Sequence, residues 1–377
     1  MKQLYLDHAA TSPMHPEVVT AFSEALGTVY GNPSSIHATG RAARKALDDA
    51  RKLLAGSIQA DDNEIIFTSG GTEADNWAIF GTAAKKSGKH IITTVIEHHA
   101  VLHACEKLER EGYDVTYLPV DKNGRVRAED VKNALRDDTI LVSVMLGNNE
   151  VGTMQPIAEI GELLKETDVT FHTDAVQAYG VLPIDVHNLN IDLLSVSAHK
   201  LNGPKGIGFL YQRKGTALAP LLYGGEQERK RRAGTENVPA ISAFAKAVEI
   251  SLSTMTEKSA AYEQYKTIFK SILDQQGVDY KENGSDQLPH ILNLSISGIE
   301  IESFLVNLDL AGIAASSGSA CTAGSIDPSH VLVAMYGEQA VESRNSIRFS
   351  FGIGLTPEDI EQAAAKTAQI SQRLALK

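Results

Sequence analysis

The residues that decide the fold read Asp192-Leu193-Leu194-Ser195-Val196-Ser197-Ala198-His199-Lys200-Leu201-Asn202-Gly203-Pro204-Lys205-Gly206-Ile207-Gly208-Phe209-Leu210. Ile191 to Val196 has the length and bulk of a buried strand. It stops at small and polar residues, Ser197 to Lys200, and the turn cluster Asn202-Gly203-Pro204 follows. A second apolar run, Gly206 to Tyr211, comes next. A lysine at the end of a buried strand lies where an open α/β sheet keeps its ligand crevice. Desolvation there lowers the amine pKa, and a neutral amine can form a Schiff base with a carbonyl. Taken alone, Lys200 reads more simply as a solvated strand cap, because most lysines stay in water.

Outward from this stretch, short β-branched runs alternate with longer amphipathic ones. The strand candidates are 64–67, 90–95, 114–119, 139–146, 169–173, 191–197 and 206–211. Helical patterns lie at 16–26, 38–54, 72–86, 99–111, 127–136 and 156–166, and two amphipathic stretches, 238–255 and 258–276, close the unit. Strands separated by helices imply a mostly parallel sheet covered on both faces, an α/β fold. The remainder, with strands at 291–296 and 347–351 and helices at 300–310 and 356–374, reads as a smaller α+β domain.

The totals narrow the function. The 377 residues are 43% hydrophobic and 22% charged, as in soluble globular proteins. No apolar run is long enough to span a bilayer, and the first residues do not read as a signal peptide. Two cysteines build no disulfide framework, which points to a reducing cytoplasm. A formal charge of −12 argues against a broad nucleic-acid footprint. The short basic run Arg229-Lys230-Arg231-Arg232 is either a solvated loop or a contact for a phosphate or an acidic partner.

Several constellations carry chemistry. Thr68-Ser69-Gly70-Gly71-Thr72-Glu73 follows a strand and opens a helix. It suits a phosphate, through free N–H groups, the dipole and the Thr72 hydroxyl, or it is an ordinary turn capped by Ser69 or Thr72. It matches neither a P-loop nor a dinucleotide fingerprint. Asp174, ending strand 169–173, needs a cation such as a protonated heterocyclic nitrogen if it is buried, or else it caps a following helix. Gln177 is expected one helical turn onward, facing the same ligand. His98 and the i, i+4 pair His99 and His103 raise a metal site, but no H-E-x-x-H pattern is present, and His98 can instead cover a flat ligand. Cys105 reads as a small buried hydrophobe. Cys321, in the small-residue loop Ser316-Ser317-Gly318-Ser319-Ala320-Cys321-Thr322-Ala323-Gly324, reads as a thiol that is used. Arg348 is either a bidentate carboxylate grip or a surface arginine on an edge strand.

In chain order the motifs Asp7-His8-Ala9-Ala10-Thr11, Gly70-Gly71-Thr72-Glu73-Ala74-Asp75-Asn76, Asn148-Asn149-Glu150-Val151-Gly152, Asp174-Ala175-Val176-Gln177, Ser197-Ala198-His199-Lys200, Arg232-Ala233-Gly234-Thr235 and Ser316-Ser317-Gly318-Ser319-Ala320-Cys321 form one set. The chain resembles the pyridoxal-phosphate cysteine desulfurases of the NifS/IscS type, in the aminotransferase class V superfamily, over nearly its whole length. The resemblance implies a fold type I transferase, with a large cofactor domain at 16–256 and a small domain formed by 1–15 and 257–377. It implies Lys200 as the covalent cofactor anchor whose freed amine moves the Cα proton, Asp174 on the ring nitrogen, Gln177 on the ring hydroxyl, and His98 stacked on the ring and taking part in proton transfer. Gly71, Thr72, Ser197 and His199 would bind the phosphate, with Thr235 reaching in from the other subunit of a homodimer. Asn149 and Arg348 would orient L-cysteine. Cys321 would be the nucleophile that becomes a persulfide while L-alanine leaves, and it would meet an iron–sulfur cluster only transiently, with no resident metal. The acceptor would be an iron–sulfur scaffold protein or a tRNA-thiolation enzyme; an end at Lys377 omits the extension that helps some members dock a scaffold. Selenocysteine lyase and cysteine sulfinate desulfinase activities are the neighbouring alternatives.

Overall fold

The computed structural model describes residues 3–318 and 328–375, together with the backbone of 321–322 and 325–326. The strands, in chain order, are β1 (Leu4–Tyr5), β2 (Ile65–Thr68), β3 (His90–Thr94), β4 (Asp114–Leu118), β5 (Thr139–Ser143), β6 (Thr170–Asp174), β7 (Leu193–Ser197), β8 (Gly208–Gln212), β9 (Tyr280–Glu282), β10 (Ile291–Ile296), β11 (Ile313–Ala314), β12 (Cys321–Thr322), β13 (Ser325–Ile326) and β14 (Ser346–Ser350). Seven of them form one sheet in the order β2-β8-β7-β6-β5-β3-β4. Neighbours from β7 through β4 run parallel, while β8 runs antiparallel to both β2 and β7. Residues of β2, β3, β5, β6 and β7 are buried throughout, as expected of strands covered on both faces, which read as continuous apolar or β-branched runs. The α/β fold with a mostly parallel sheet therefore stands, and the Asn202–Gly206 turn is what reverses the chain into antiparallel β8.

A second, three-stranded antiparallel sheet, β14-β10-β9, packs with Phe269, Phe304, Phe349 and Ile360 in a core of its own. Leu4 and Leu6 of the N-terminal arm belong to that core, and β1 pairs in parallel with β11. The arm then runs on beside β14, where Asp7 bridges to Ser350, and reaches the large sheet's helical layer at Pro16.

One expectation is corrected. The stretches 238–255 and 258–276 are a single helix, Val238–Gln275, 38 residues long. The polar residues Ser253 to Lys258 mark no loop, because they contain neither glycine nor proline. They lie where the helix passes from one core to the next: its first half contributes Ile241, Phe244 and Val248 to the large core, and its second half contributes Tyr262, Phe269 and Leu273 to the small one.

Candidate active site

A cavity of about 440 Å³ lies at the C-terminal ends of β6 and β7. This is the crevice an open parallel sheet offers to ligands. Asp174 is the last residue of β6 and Ser197 the last of β7, and one 3-10 turn, Ala198–Lys200, carries the lysine over the strand ends. Lys200 is not a solvated cap. Its Nζ donates to the carbonyls of Ala9 (2.6 Å) and Ala10 (2.9 Å). Burial, reinforced by the nearby Arg348 charge, lowers its pKa to about 8, against the pull of Asp174 and Asp7. Burial pushes the Asp174 carboxyl up, although Val176 N–H donates to it at 2.8 Å and Lys200 lies near.

The residues after Asp174 form a turn rather than the helix foreseen, so Gln177 does not lie on a helical face. It lines the cavity all the same, and its Nε2 donates to Ala9 O at 2.9 Å. Asp174 Oδ1 accepts Val176 N–H as a cap would, Tyr179 N–H donates to Ala175 O at 2.8 Å, and the turn ends at Gly180, whose φ is +78°.

Helix Gly71–Ala83 opens onto the cavity without any side-chain cap. Neither Ser69 nor Thr72 fills that role; Ser69 N–H is drawn aside to Glu73 Oε2 at 2.7 Å. Gly70 holds φ at +149°, a conformation that favours glycine, and a Cβ on Gly71 would stand 2.8 Å from Val176 Cγ2. The helix start is thus open to an anion, with Thr72, Ser197 and His199 around it. His199 pairs with Thr11 Oγ1 at 3.1 Å, and burial lowers its pKa to about 4. His98 caps helix His99–Arg110, its Nδ1 accepting Ala100 N–H at 3.1 Å, and burial followed by the Lys200 charge lowers its pKa to about 4. It faces the cavity as a neutral imidazole.

A second wall of the cavity holds Asn149 and Arg348. Arg348 sits within the last strand and is not a surface arginine: it is 4% exposed although β14 is formally an edge. The arm and the Ser316 bridge cover that edge. Its Nη1 donates to Asn149 O at 2.7 Å and its Nη2 to Asp7 Oδ1 at 2.8 Å.

All the expected site residues except Thr235 and Cys321 therefore line one cavity. Thr235 is exposed and lies outside it, and the Cys321 side chain lies outside the described residues. Sequence reasoning gave no role to Asp7, Ala9, Ala10, Asp75, Glu150 or His330, which border the cavity or hold its cations. Ala9 and Ala10 act through their carbonyls, which leave no mark on residue type. Glu150 is buried and accepts from Ser329 Oγ. His99 stacks on His103, with ring centroids 5.0 Å apart, and meets His330 at 4.8 Å. Among the described residues no group of three or more His, Cys, Asp or Glu has the geometry to hold a metal ion. Cys105 is buried, and burial pushes its thiol pKa up. The basic run is half engaged, with Arg231 and Arg232 partly buried and Arg229 and Lys230 exposed. Arg232 makes a fork to Glu73 (2.8 and 3.0 Å), Arg231 donates to Asn63 O at 2.8 Å, and Arg229 and Lys230 pair with Asp62 and Glu226.

The donor set fits pyridoxal phosphate. An uncapped helix N-terminus with hydroxyls suits a phosphate, a buried carboxylate suits a protonated ring nitrogen, and a desolvated amine suits an aldehyde. Comparison with known proteins places the chain in a family. The family described as Aminotransferase class-V matches residues 4–363. The chain belongs to that family of enzymes. The cysteine desulfurase IscS of Methanosarcina thermophila is 48% identical, with 99% of this chain and 93% of that protein covered. IscS 1 of Bacillus subtilis (strain 168) is 60% identical over 99% of this chain and all of its own length. A solved NifS-like protein superposes with a TM-score of 0.92 at 34% identity, with 99% of this chain and 100% of that one covered. Among the described residues no helix is long and apolar enough to cross a membrane.

Proposed function

We propose that this chain is a cysteine desulfurase that moves the sulfur of L-cysteine onto Cys321 as a persulfide and releases L-alanine, with pyridoxal phosphate anchored by Lys200. The observation that carries the reading is the meeting, in one cavity, of Lys200, Asp174, His98 and the uncapped helix start at Gly71 and Thr72. Bound there, pyridoxal phosphate supplies an aldehyde for amines and a ring that draws charge from the substrate Cα.

The chain's own residues do the rest. Asp174 would keep the ring nitrogen protonated, Gln177 would meet the ring hydroxyl and His98 would cover the ring. Ser197, His199, Gly71 and Thr72 would hold the phosphate, joined by Thr235 of a second subunit in a homodimer. Arg348 and Asn149 fix the substrate carboxylate. Lys200, with its lowered pKa, takes the Cα proton near neutral pH and returns it. The Cys321 thiolate attacks the substrate sulfur. The new S–S bond forms as the Cβ–S bond breaks, and the electron pair left on carbon is protonated, so that L-cysteine and a thiol become L-alanine and a persulfide. Ser316, Gly318 and His330, which border the segment carrying Cys321, all line the cavity and support this role.

In this reading residues 16–256 supply the cofactor wall and Asn149, and 1–15 with 257–377 the rest of the substrate wall and the sulfur carrier, in a cytoplasmic enzyme. The acceptor is a protein, either an iron–sulfur scaffold or a tRNA-thiolation enzyme, and persulfide transfer to each in vitro decides between them. The test of the reaction is Cys321→Ser assayed on L-cysteine, selenocysteine and cysteine sulfinate. We expect the visible absorbance to persist and sulfide release from L-cysteine to vanish. Undiminished sulfide release from the variant, or faster turnover of selenocysteine or the sulfinate by the unaltered enzyme, overturns the assignment.

A further inference from the structure

The guanidinium of Arg348 is held more tightly than a carboxylate grip alone requires. It is buried, and its Nε has no partner and no solvent access. One hydrogen of Nη1 goes to Asn149 O and one of Nη2 goes to Asp7 Oδ1, which leaves one N–H on each terminal nitrogen. Those two are what a bidentate carboxylate needs. Asp7 lies 341 residues away in the chain and brings the only carboxylate in ion-pair contact with Arg348 among the described residues.

The same arm touches the other cation of the site. Ala9 O and Ala10 O accept from Lys200 Nζ, and Ala9 O also accepts from Gln177. Four consecutive residues therefore set both the reactive amine and the guanidinium. The backbone between them is fixed, because Asp7 bridges to Ser350 on the strand that carries Arg348, and Ala10 N–H donates to Asp7 O at 3.1 Å. An α-amino acid carries its amine and its carboxylate on one carbon, so the separation of these two cations decides which substrates reach both.

We propose that Asp7 is a positioning residue that holds the Arg348 guanidinium, with two of its N–H groups free, for the α-carboxylate of the substrate. This rests on the reading of Arg348 as the carboxylate grip. Asp7 touches neither substrate nor cofactor; it takes one hydrogen of Nη2, balances the buried charge, and ties the grip to the arm that places Lys200.

The test uses holoenzyme and its spectral change on titration with L-cysteine and with cysteamine, which keeps the amine and thiol but lacks the carboxylate. Asp7→Ala is expected to raise the half-saturating L-cysteine concentration about tenfold, because a small misplacement of an anchoring group costs that much or more. Asp7→Asn, which keeps an acceptor oxygen, is expected to restore about half of that loss on a logarithmic scale. Half-saturation by cysteamine is expected to stay within about twofold in both variants, a result that a general loosening of the site would not give. Unchanged L-cysteine binding in Asp7→Ala, or an equal loss for cysteamine, overturns the proposal, as does tighter L-cysteine binding, which would make Asp7 a competitor of the substrate. Arg348→Ala serves as the reference. If it binds L-cysteine normally, the grip reading itself is wrong; if it binds weakly while Asp7→Ala binds normally, only the positioning role fails.

Discussion

The two walls of the cavity are built in different ways. The wall carrying Lys200, Asp174, Ser197 and Gly71 is made where neighbouring strands of one sheet stop, and each side chain is placed by the element it ends or begins. The wall carrying Arg348 and Asn149 is assembled from distant parts of the chain: a strand of the small sheet, the segment after β5, and the N-terminal arm, joined by contacts spanning 199 and 341 residues. The first wall persists as long as the large sheet does. The second depends on the arm and the small sheet staying docked, so perturbations should separate cofactor binding from substrate binding.

The largest effect is expected at the amine of the first wall. Lys200→Ala should lower turnover at least ~10³-fold, since it removes both the cofactor anchor and the proton carrier. The covalently held chromophore should be lost with it, while far-UV circular dichroism stays the same. Arg348→Ala should fall on the substrate wall alone: kcat/KM for L-cysteine drops about 100-fold, and cofactor affinity stays within about twofold, as measured by absorbance titration. An equal loss of cofactor affinity would show that the walls are one unit.

A pH experiment addresses the cofactor wall without any substrate. In cofactor-free protein the Lys200 pKa is about 8, below the 10.5 of an unfolded lysine. Between those values the unfolded chain binds more protons, so stability from this group is missing below pH 8 and recovered as pH rises toward 10.5. Relative to a Lys200→Met variant, the unaltered protein should gain on the order of 2–3 kcal/mol across that window in urea unfolding. Parallel curves for the two proteins would mean that the amine is solvated. Smallest is Gly71→Ala. Its Cβ would stand 2.8 Å from Val176 Cγ2, so the helix start must shift, and cofactor affinity should fall about tenfold. With cofactor saturating, the KM for L-cysteine should hardly change.

The same contrast explains what the sequence made readable. Lys200, Asp174 and the Gly70-Gly71-Thr72 turn announce themselves because an apolar strand, a breaker and a reactive residue are adjacent in the chain. Asp7 carries no such mark, since its partner lies 341 residues away and only the fold brings β14 alongside the arm. Ala9 and Ala10 act through carbonyl oxygens that every residue possesses. Gln177 sits in a single turn capped by Asp174 and ended at Gly180, rather than on a longer helix, a stop that residue periodicity does not reveal. Likewise the polar middle of helix Val238–Gln275 imitates a loop because the helix leaves one core there before entering the other.

The central claim is that the buried amine at the end of β7 is the cofactor's anchor. Purified protein is incubated with pyridoxal phosphate, reduced with borohydride and mapped by peptide mass spectrometry. The account predicts visible absorbance that reduction abolishes, and a phosphopyridoxyl group on Lys200. A colourless preparation, or a label on any other lysine, contradicts it.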